Sequence, residues 1–288
     1  MIEKHTAAKK STLVSVFVNL CLGTFQIVTG FFSGSQGLIA DGIHSFSDLV
    51  SDIVVLIANK HSSKDPDEDH HYGHYRYETA ATAFIGLSLI GVGILMIWHA
   101  GYKIAYSDEI VEIKIIALWV ALGALVIKEL LFRYMLHVGE QVKSAMLIAN
   151  SWHARSDAAS SFVVATGIVG ALFGYGVFDI IAALVVGLMI VKMGWDFSWD
   201  ALHDLMDRSV SLEEDKKITN IILETKGVKG IHDLKTRKMG DMILVDVHIE
   251  VDANISVREG HDIAVAARLA VMTSMPAVLN LMSHVDPV

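Results

Sequence analysis

Two hydropathy patterns divide this chain. Before about residue 200 long uncharged runs dominate, and beyond it charged residues alternate with short strand-like segments. Six runs approach the ~20 residues that cross a bilayer core: Leu13 to Phe32, Leu38 to Ala58, Ala80 to Ala100, Ile115 to Leu136, Met146 to Phe173 and Phe178 to Met193. The second and fifth are the least hydrophobic, which predicts that they pack inside a bundle. From about Ser209 the pattern predicts helix, strand, strand, helix, strand. Ser211 with Glu214, and Ser256 with Glu259, have the spacing of capping boxes that start the two helices, and Gly227 is placed to end the first. In ILVDVHIEVD, Ile243, Val245, Val247, Ile249 and Val251 alternate with Leu244, Asp246, His248, Glu250 and Asp252. That period of two marks a strand with one core face and one face left to chemistry or solvent. The expected fold class is an α-helical membrane protein of six transmembrane helices (residues 1–208) plus a C-terminal α+β ferredoxin-like cytoplasmic domain (residues 209–288).

Composition supports the membrane reading. Of 288 residues, 53% are hydrophobic and 19% charged, a more apolar balance than soluble domains show. The formal net charge is 23 − 32 = −9, and no Lys/Arg run suited to a phosphate backbone occurs, so nucleic acid is not an expected partner. Cys21 is the single cysteine, which leaves no disulfide and no cysteine-based metal site within one chain. The basic start MIEKHTAAKK precedes an apolar stretch too long for a secretory signal and without an A-x-A cleavage pattern, so it reads as an uncleaved first span.

Basic residues set the expected orientation. Lys4, Lys9 and Lys10 precede the first span, Lys60, Lys64 and Arg76 flank the second connection, and Arg133 and Lys143 flank the fourth. The opposite connections are SGSQG, a mixed loop with Lys103 and Lys114, and GYGV. The positive-inside rule then places both termini of a multi-pass protein in the cytoplasm, and the cell (inner) membrane is the expected location.

Ionisable residues are expensive in a bilayer, at least ~2.5–3.5 kcal/mol each at its centre, yet the second and fifth spans carry two matched pairs. HSFSD places His44 and Asp48 four apart, and HARSD places His153 and Asp157 four apart. Residues i and i+4 share a helix face, so each span presents one imidazole beside one carboxylate. If the spans run in opposite directions, Asp48 lies level with His153, and His44 with Asp157. The resulting N₂O₂ set suits tetrahedral Zn²⁺, and two carboxylates offset the charge of the ion. The plainer alternative is that the four residues only hydrogen-bond helices together. Asp41 and Asp52 extend the same stripe, as lining of an access path or as helix-end residues facing water, and Arg155 points elsewhere on its helix.

HSFSD and HARSD, followed by DEDHHYGHYRYE, IHDLKTRKMG and SHVDP in that order, resemble the cation diffusion facilitator family over essentially the whole chain. The resemblance implies a homodimeric, proton-coupled exporter of divalent metal with a cytoplasmic domain that senses metal and dimerises. It implies a transport site at His44, Asp48, His153 and Asp157. A loop site would lie at Asp67, His70 and His74, and a cytoplasmic site at His232, His248, His261 and His284 with Asp286. It also implies a dimer contact through the pair Arg76 and Asp207. Histidine at position 44 favours zinc within such a family, with Fe²⁺, Mn²⁺, Cd²⁺, Co²⁺ and Ni²⁺ as alternatives. Read on residues alone, DPDEDHHYGH is also a solvated acidic turn in which His71 competes with His70, and surface histidines need no ligand role. With His71 counted, these clusters hold nine of the 14 histidines.

Metal loading needs neutral imidazole and ionised carboxylate, so exchange of metal for protons is the expected chemistry. Zn²⁺ is the expected substrate and, as the resemblance implies, a structural or regulatory ion, protons the counter-substrate, and the lipid bilayer and a second copy the expected partners. An enzyme is not expected: neither G-x-x-x-x-G-K-[ST] nor H-E-x-x-H occurs. The remaining alternative is a sensor subunit that does not itself transport.

Overall fold

The computed structural model describes residues 2–62, 64–106, 112–141, 145–240 and 242–288; Lys143 and the side chains of Asp52 and His153 lie outside that description. Six long helices come first: α1 (Ile2–Ser33), α2 (Gln36–Ser62), α3 (Arg76–Tyr106), α4 (Ile116–Gln141), α5 (Ala145–Leu172) and α6 (Val177–Leu205). Five of the six outrun the apolar stretch that predicts them, because helical hydrogen bonding continues through polar turns such as Asn59–Ser62 of α2 and Asp196–Leu205 of α6, while α5 matches its stretch to within one residue at each end. Among the described residues, Leu13–Ser33, Arg76–Tyr106 and Val177–Leu205 are long and apolar enough on their own to cross a membrane. The helices α2, α4 and α5 contain the ionisable residues that lower their hydropathy.

Two compact units follow from the packing: Met1–Val54 with Ile85–Asp196, and Val55–Phe84 with Phe197–Val288. In the first, large apolar side chains such as Phe17, Phe31, Leu95, Trp98 and Trp119 point outward, the arrangement expected where hydrocarbon replaces water as solvent. Small residues let helices touch inside. A Cβ on Gly42 would lie 3.0 Å from the Gly23 carbonyl of α1, and one on Gly194 would lie 2.6 Å from the Gly86 carbonyl of α3. Asp179 in the first turn of α6 caps α2 from outside its own helix. Its carboxylate accepts from Ser35 Oγ at 2.6 Å and from the Gln36 and Gly37 N–H groups at 2.6 and 3.3 Å.

The second unit ends in a small α+β domain: α7 (Leu212–Leu223), β1 (Gly230–Met239), β2 (Met242–Val251), α8 (Val257–Ser274) and β3 (Val278–Pro287). This is the expected order of elements. Both capping boxes form, with Ser211 and Ser256 accepting from the N–H groups of Glu214 and Glu259 while those carboxylates reach back. Gly227 follows α7 at φ 100°, a conformation that only glycine adopts cheaply. The sheet runs β1-β2-β3, antiparallel then parallel. Val245, Val247 and Ile249 of β2 are buried with Ile218 and Ile222 of α7 and Ala267 and Val271 of α8, so both helices cover one face. The alternate residues, His248 and Glu250 among them, occupy the open face.

Candidate metal centres

The four-residue spacing puts His44 and Asp48 on one face of α2, and that face meets α5. His44 Nε2 lies 3.7 Å from Asp157 Oδ1, and His44 Nδ1 lies 3.9 Å from Asp48 Oδ2. His44 is 4% exposed. Its Nδ1 has no hydrogen-bond partner among the described residues. One nitrogen and two carboxylate oxygens from these residues fall within 4.8 Å of one another, close enough to share an ion. Three of the four expected residues therefore converge, and His153 stands one turn before Asp157 on α5 with its side chain outside the described residues. Arg155 turns away, its guanidinium 4.9 Å from the Phe132 ring centroid and 5.2 Å from that of Trp152.

The loop trio also closes. Asp67 Oδ1 accepts from the His70 N–H at 2.8 Å and the Asp69 N–H at 3.1 Å, a local turn that folds the loop back on itself. Asp67 Oδ2 then lies 3.2 Å from His74 Nε2, Oδ1 lies 3.4 Å from His70 Nδ1, and the two imidazole centroids are 4.5 Å apart. Donation from the His70 backbone holds the Asp67 carboxyl below its ordinary range, with smaller help from His74. His71 lines a cavity with His70 and His74 but does not join the trio. His74 is buried and its Nδ1 has no hydrogen-bond partner among the described residues.

In the α+β domain, register rather than sequence proximity assembles the site. His232 pairs with His248 across β1 and β2, and His248 pairs with His284 across β2 and β3. The three rings form a row with centroids 4.9 and 4.8 Å apart. The neighbouring row carries Glu250 opposite Asp286. Asp286 Oδ2 is 2.8 Å from His248 Nδ1 and 3.4 Å from His232 Nε2, while Oδ1 is 2.9 Å from His284 Nδ1. The hydrogen bond from His248 is the chief reason that the Asp286 carboxyl stays below its usual range. Glu250 Oε1, 3.0 Å from His232 Nδ1, joins this cluster although no sequence motif singled it out. His261 does not join it. It stands exposed on α8, which covers the opposite face of the sheet, and lines a cavity with Arg268 and Met282.

Arg76 and Asp207, expected as a dimer contact, meet within one chain. Arg76 donates to the Asp207 carboxylate, and to the Leu205 carbonyl at 3.2 Å. Asp207 follows α6 at φ 59°, and its second oxygen lies 3.9 Å from Arg237 Nη1.

Sequence reasoning missed the group behind the intramembrane site. Lys128 of α4 is 2% exposed and donates to Asp41 Oδ1 at 3.1 Å. A lone cation inside an apolar run was the available signal.

These features define a membrane protein with a buried His/Asp site and an α+β domain carrying a further polar cluster. Residues 12–206 match the cation efflux transmembrane domain, and residues 210–288 match the cytoplasmic domain of cation efflux proteins. The chain belongs to the cation efflux, or cation diffusion facilitator, family of divalent metal transporters. It is 39% identical over 278 residues to an uncharacterized transporter of Methanocaldococcus jannaschii, covering 96% of this chain and 98% of that protein. It is 34% identical over 266 residues to the manganese efflux system protein MneS of Bacillus subtilis, covering 91% of each. The magnetosome protein MamB of Magnetospira sp. (strain QH-2) is 33% identical over 272 residues, with 94% of this chain and 92% of that one covered.

Proposed function

We propose that this protein is a proton-coupled antiporter that exports divalent metal, Zn²⁺ foremost, from the cytoplasm by alternating access around His44, Asp48, His153 and Asp157. The observation that carries the reading is the convergence of His44, Asp48 and Asp157 in a buried site where His44 Nδ1 has no hydrogen-bond partner among the described residues. Such a donor set fits an ion better than it fits a hydrogen-bonded bundle, in which a buried imidazole nitrogen would find a partner. A divalent ion bound by two carboxylates leaves no net charge in the bilayer, and protonation of the same groups releases it. Opposite exposure of one site near the midplane then couples inward protons to outward metal.

In this reading residues 1–208 form the transport domain and 209–288 a cytoplasmic domain that dimerises and senses metal, with both termini in the cytoplasm. Asp67, His70 and His74 hold a second ion at the loop. His232, His248, His284 and Asp286 hold another, with His261 supplying a ligand only from elsewhere than its own chain's cluster. Imidazole with carboxylate suits Zn²⁺. Mn²⁺ is the second reading, favoured by the likeness to MneS and by the carboxylate share of the site.

The test is a panel of Zn²⁺, Mn²⁺, Fe²⁺, Cd²⁺, Co²⁺ and Ni²⁺ in proteoliposomes with an imposed pH gradient, recording metal and proton flux together. Saturable uptake of Zn²⁺ with opposite proton movement is expected; metal flux indifferent to the gradient would refute the coupling.

A further inference from the structure

Directly beside the intramembrane site lies a polar group that the ion-binding residues do not include. The Asp41 carboxylate, fully buried, accepts from Lys128 Nζ at 3.1 Å, from Ser160 Oγ at 2.7 Å, from Ser161 Oγ and from Gln26 Nε2. Four donors from α1, α4 and α5 thus meet one acceptor on α2. The group also grips the site backbone: Lys128 Nζ reaches the Asp157 carbonyl at 3.4 Å, and the single Ser160 hydroxyl hydrogen is shared between that carbonyl, at 2.7 Å, and Asp41. Asp41 precedes His44 by three residues on α2, and Ser160 follows Asp157 by three on α5, so each anchor lies one turn from a site residue.

We infer that the Asp41–Lys128 ion pair is a positioning element, which sets the separation of His44 and Asp48 from Asp157 without touching the ion. The inference rests on the site reading given under Proposed function. Asp41 is not counted as a ligand, because both its oxygens already accept two hydrogen bonds and the convergent atoms belong to His44, Asp48 and Asp157. A bundle offers cheaper ways to pack than a buried ion pair, and apolar replacement of such a pair is often neutral. Removing one partner alone strands the other charge a turn from the site.

The experiment measures the apparent KM and maximal rate of Zn²⁺ transport by the full chain in proteoliposomes, with equilibrium binding of radioactive zinc in detergent. Binding lost in Asp157→Ala serves to isolate the transport site from the other centres. Asp41→Asn and Lys128→Met are each expected to raise KM and weaken that binding by about 10–100-fold, the range for residues that orient metal ligands. Asp41→Asn/Lys128→Met, which leaves no stranded charge, is expected to return to within about threefold of the native protein. A double variant as impaired as the singles would mean that one of the pair acts on the ion itself, and singles that bind like the native chain would mean that neither positions it; either overturns the inference. If the single variants do not fold, Ser160→Ala/Ser161→Ala removes two donors without a charge change. A severalfold rise in KM supports the inference there, and native KM overturns it. Native transport by Asp157→Ala would instead overturn the site reading, on a variant that keeps the pair intact.

Discussion

His44 on α2 faces Asp157 on α5 at 3.7 Å, across 113 positions of sequence, and this contact joins the two matched motifs. In the proposed transport site, replacing Asp157 removes an oxygen ligand and half the compensating negative charge. Asp157→Ala and His44→Ala are expected to abolish metal-driven proton flux in proteoliposomes while Trp fluorescence and dimer size stay native. A loss of about 100-fold or more is expected for a first ligand, since even orienting residues contribute 10–100-fold. Undiminished flux would remove the site.

The loop centre distinguishes two adjacent histidines. His70 and His74 face Asp67, and His71 does not share that arrangement. His70→Ala and His74→Ala are therefore expected to lose one equivalent of bound zinc, whereas His71→Ala retains it, as counted by equilibrium dialysis of the purified chain. The reverse ranking would show that the loop binds metal in another fold.

Arg76 and Asp207 invite a charge swap with an uneven outcome. Both are near half exposed, so the pair itself is worth no more than ~1 kcal/mol. Arg76→Asp and Asp207→Arg are each expected to lower transport, and the double reversal to restore only part of it. The reason is Arg237, which already lies 3.9 Å from the Asp207 carboxylate and would then face an arginine. Full restoration, measured as the ratio of initial rates, would show that Arg237 takes no part.

Acid should loosen α7 through its capping box. Hydrogen bonds from the Ser211 side chain and N–H hold Glu214 below its ordinary value of 4.5. A carboxylate whose folded pKa is depressed stabilises the fold above the unfolded value and loses that contribution as pH falls through the folded one. Protection of α7 amides from hydrogen exchange is thus expected to be flat above pH 4.5 and to fall below it. Ser211→Ala should cost about 1 kcal/mol at neutral pH and flatten the acid dependence. Equal acid sensitivity with and without Ser211 would contradict this account.

Much of the architecture was legible because it depends on local periodicity. Apolar runs of bilayer length became α1 to α6, and the alternation from Ile243 to Val251 became β2 with its core on one face. Each capping box needed only a serine and a glutamate three residues apart. Helix ends were less legible, because polar turns beyond a bilayer-length run still form helical hydrogen bonds.

The primary structure alone determined that His44 and Asp48 share a helix face, because the helical period brings i and i+4 together wherever a helix forms. It could not determine what lies behind that face. Lys128 reaches Asp41 from α4, and Ser160 and Ser161 reach it from α5, through contacts that only helix packing creates. The histidine row of the α+β domain is likewise a product of strand register, which also brings Glu250 in, while α8, packed on the other face of the sheet, leaves His261 on the far side. Local spacing sets which residues a single element presents, whereas partners from different elements depend on how buried surfaces pack, and no short-range pattern encodes that.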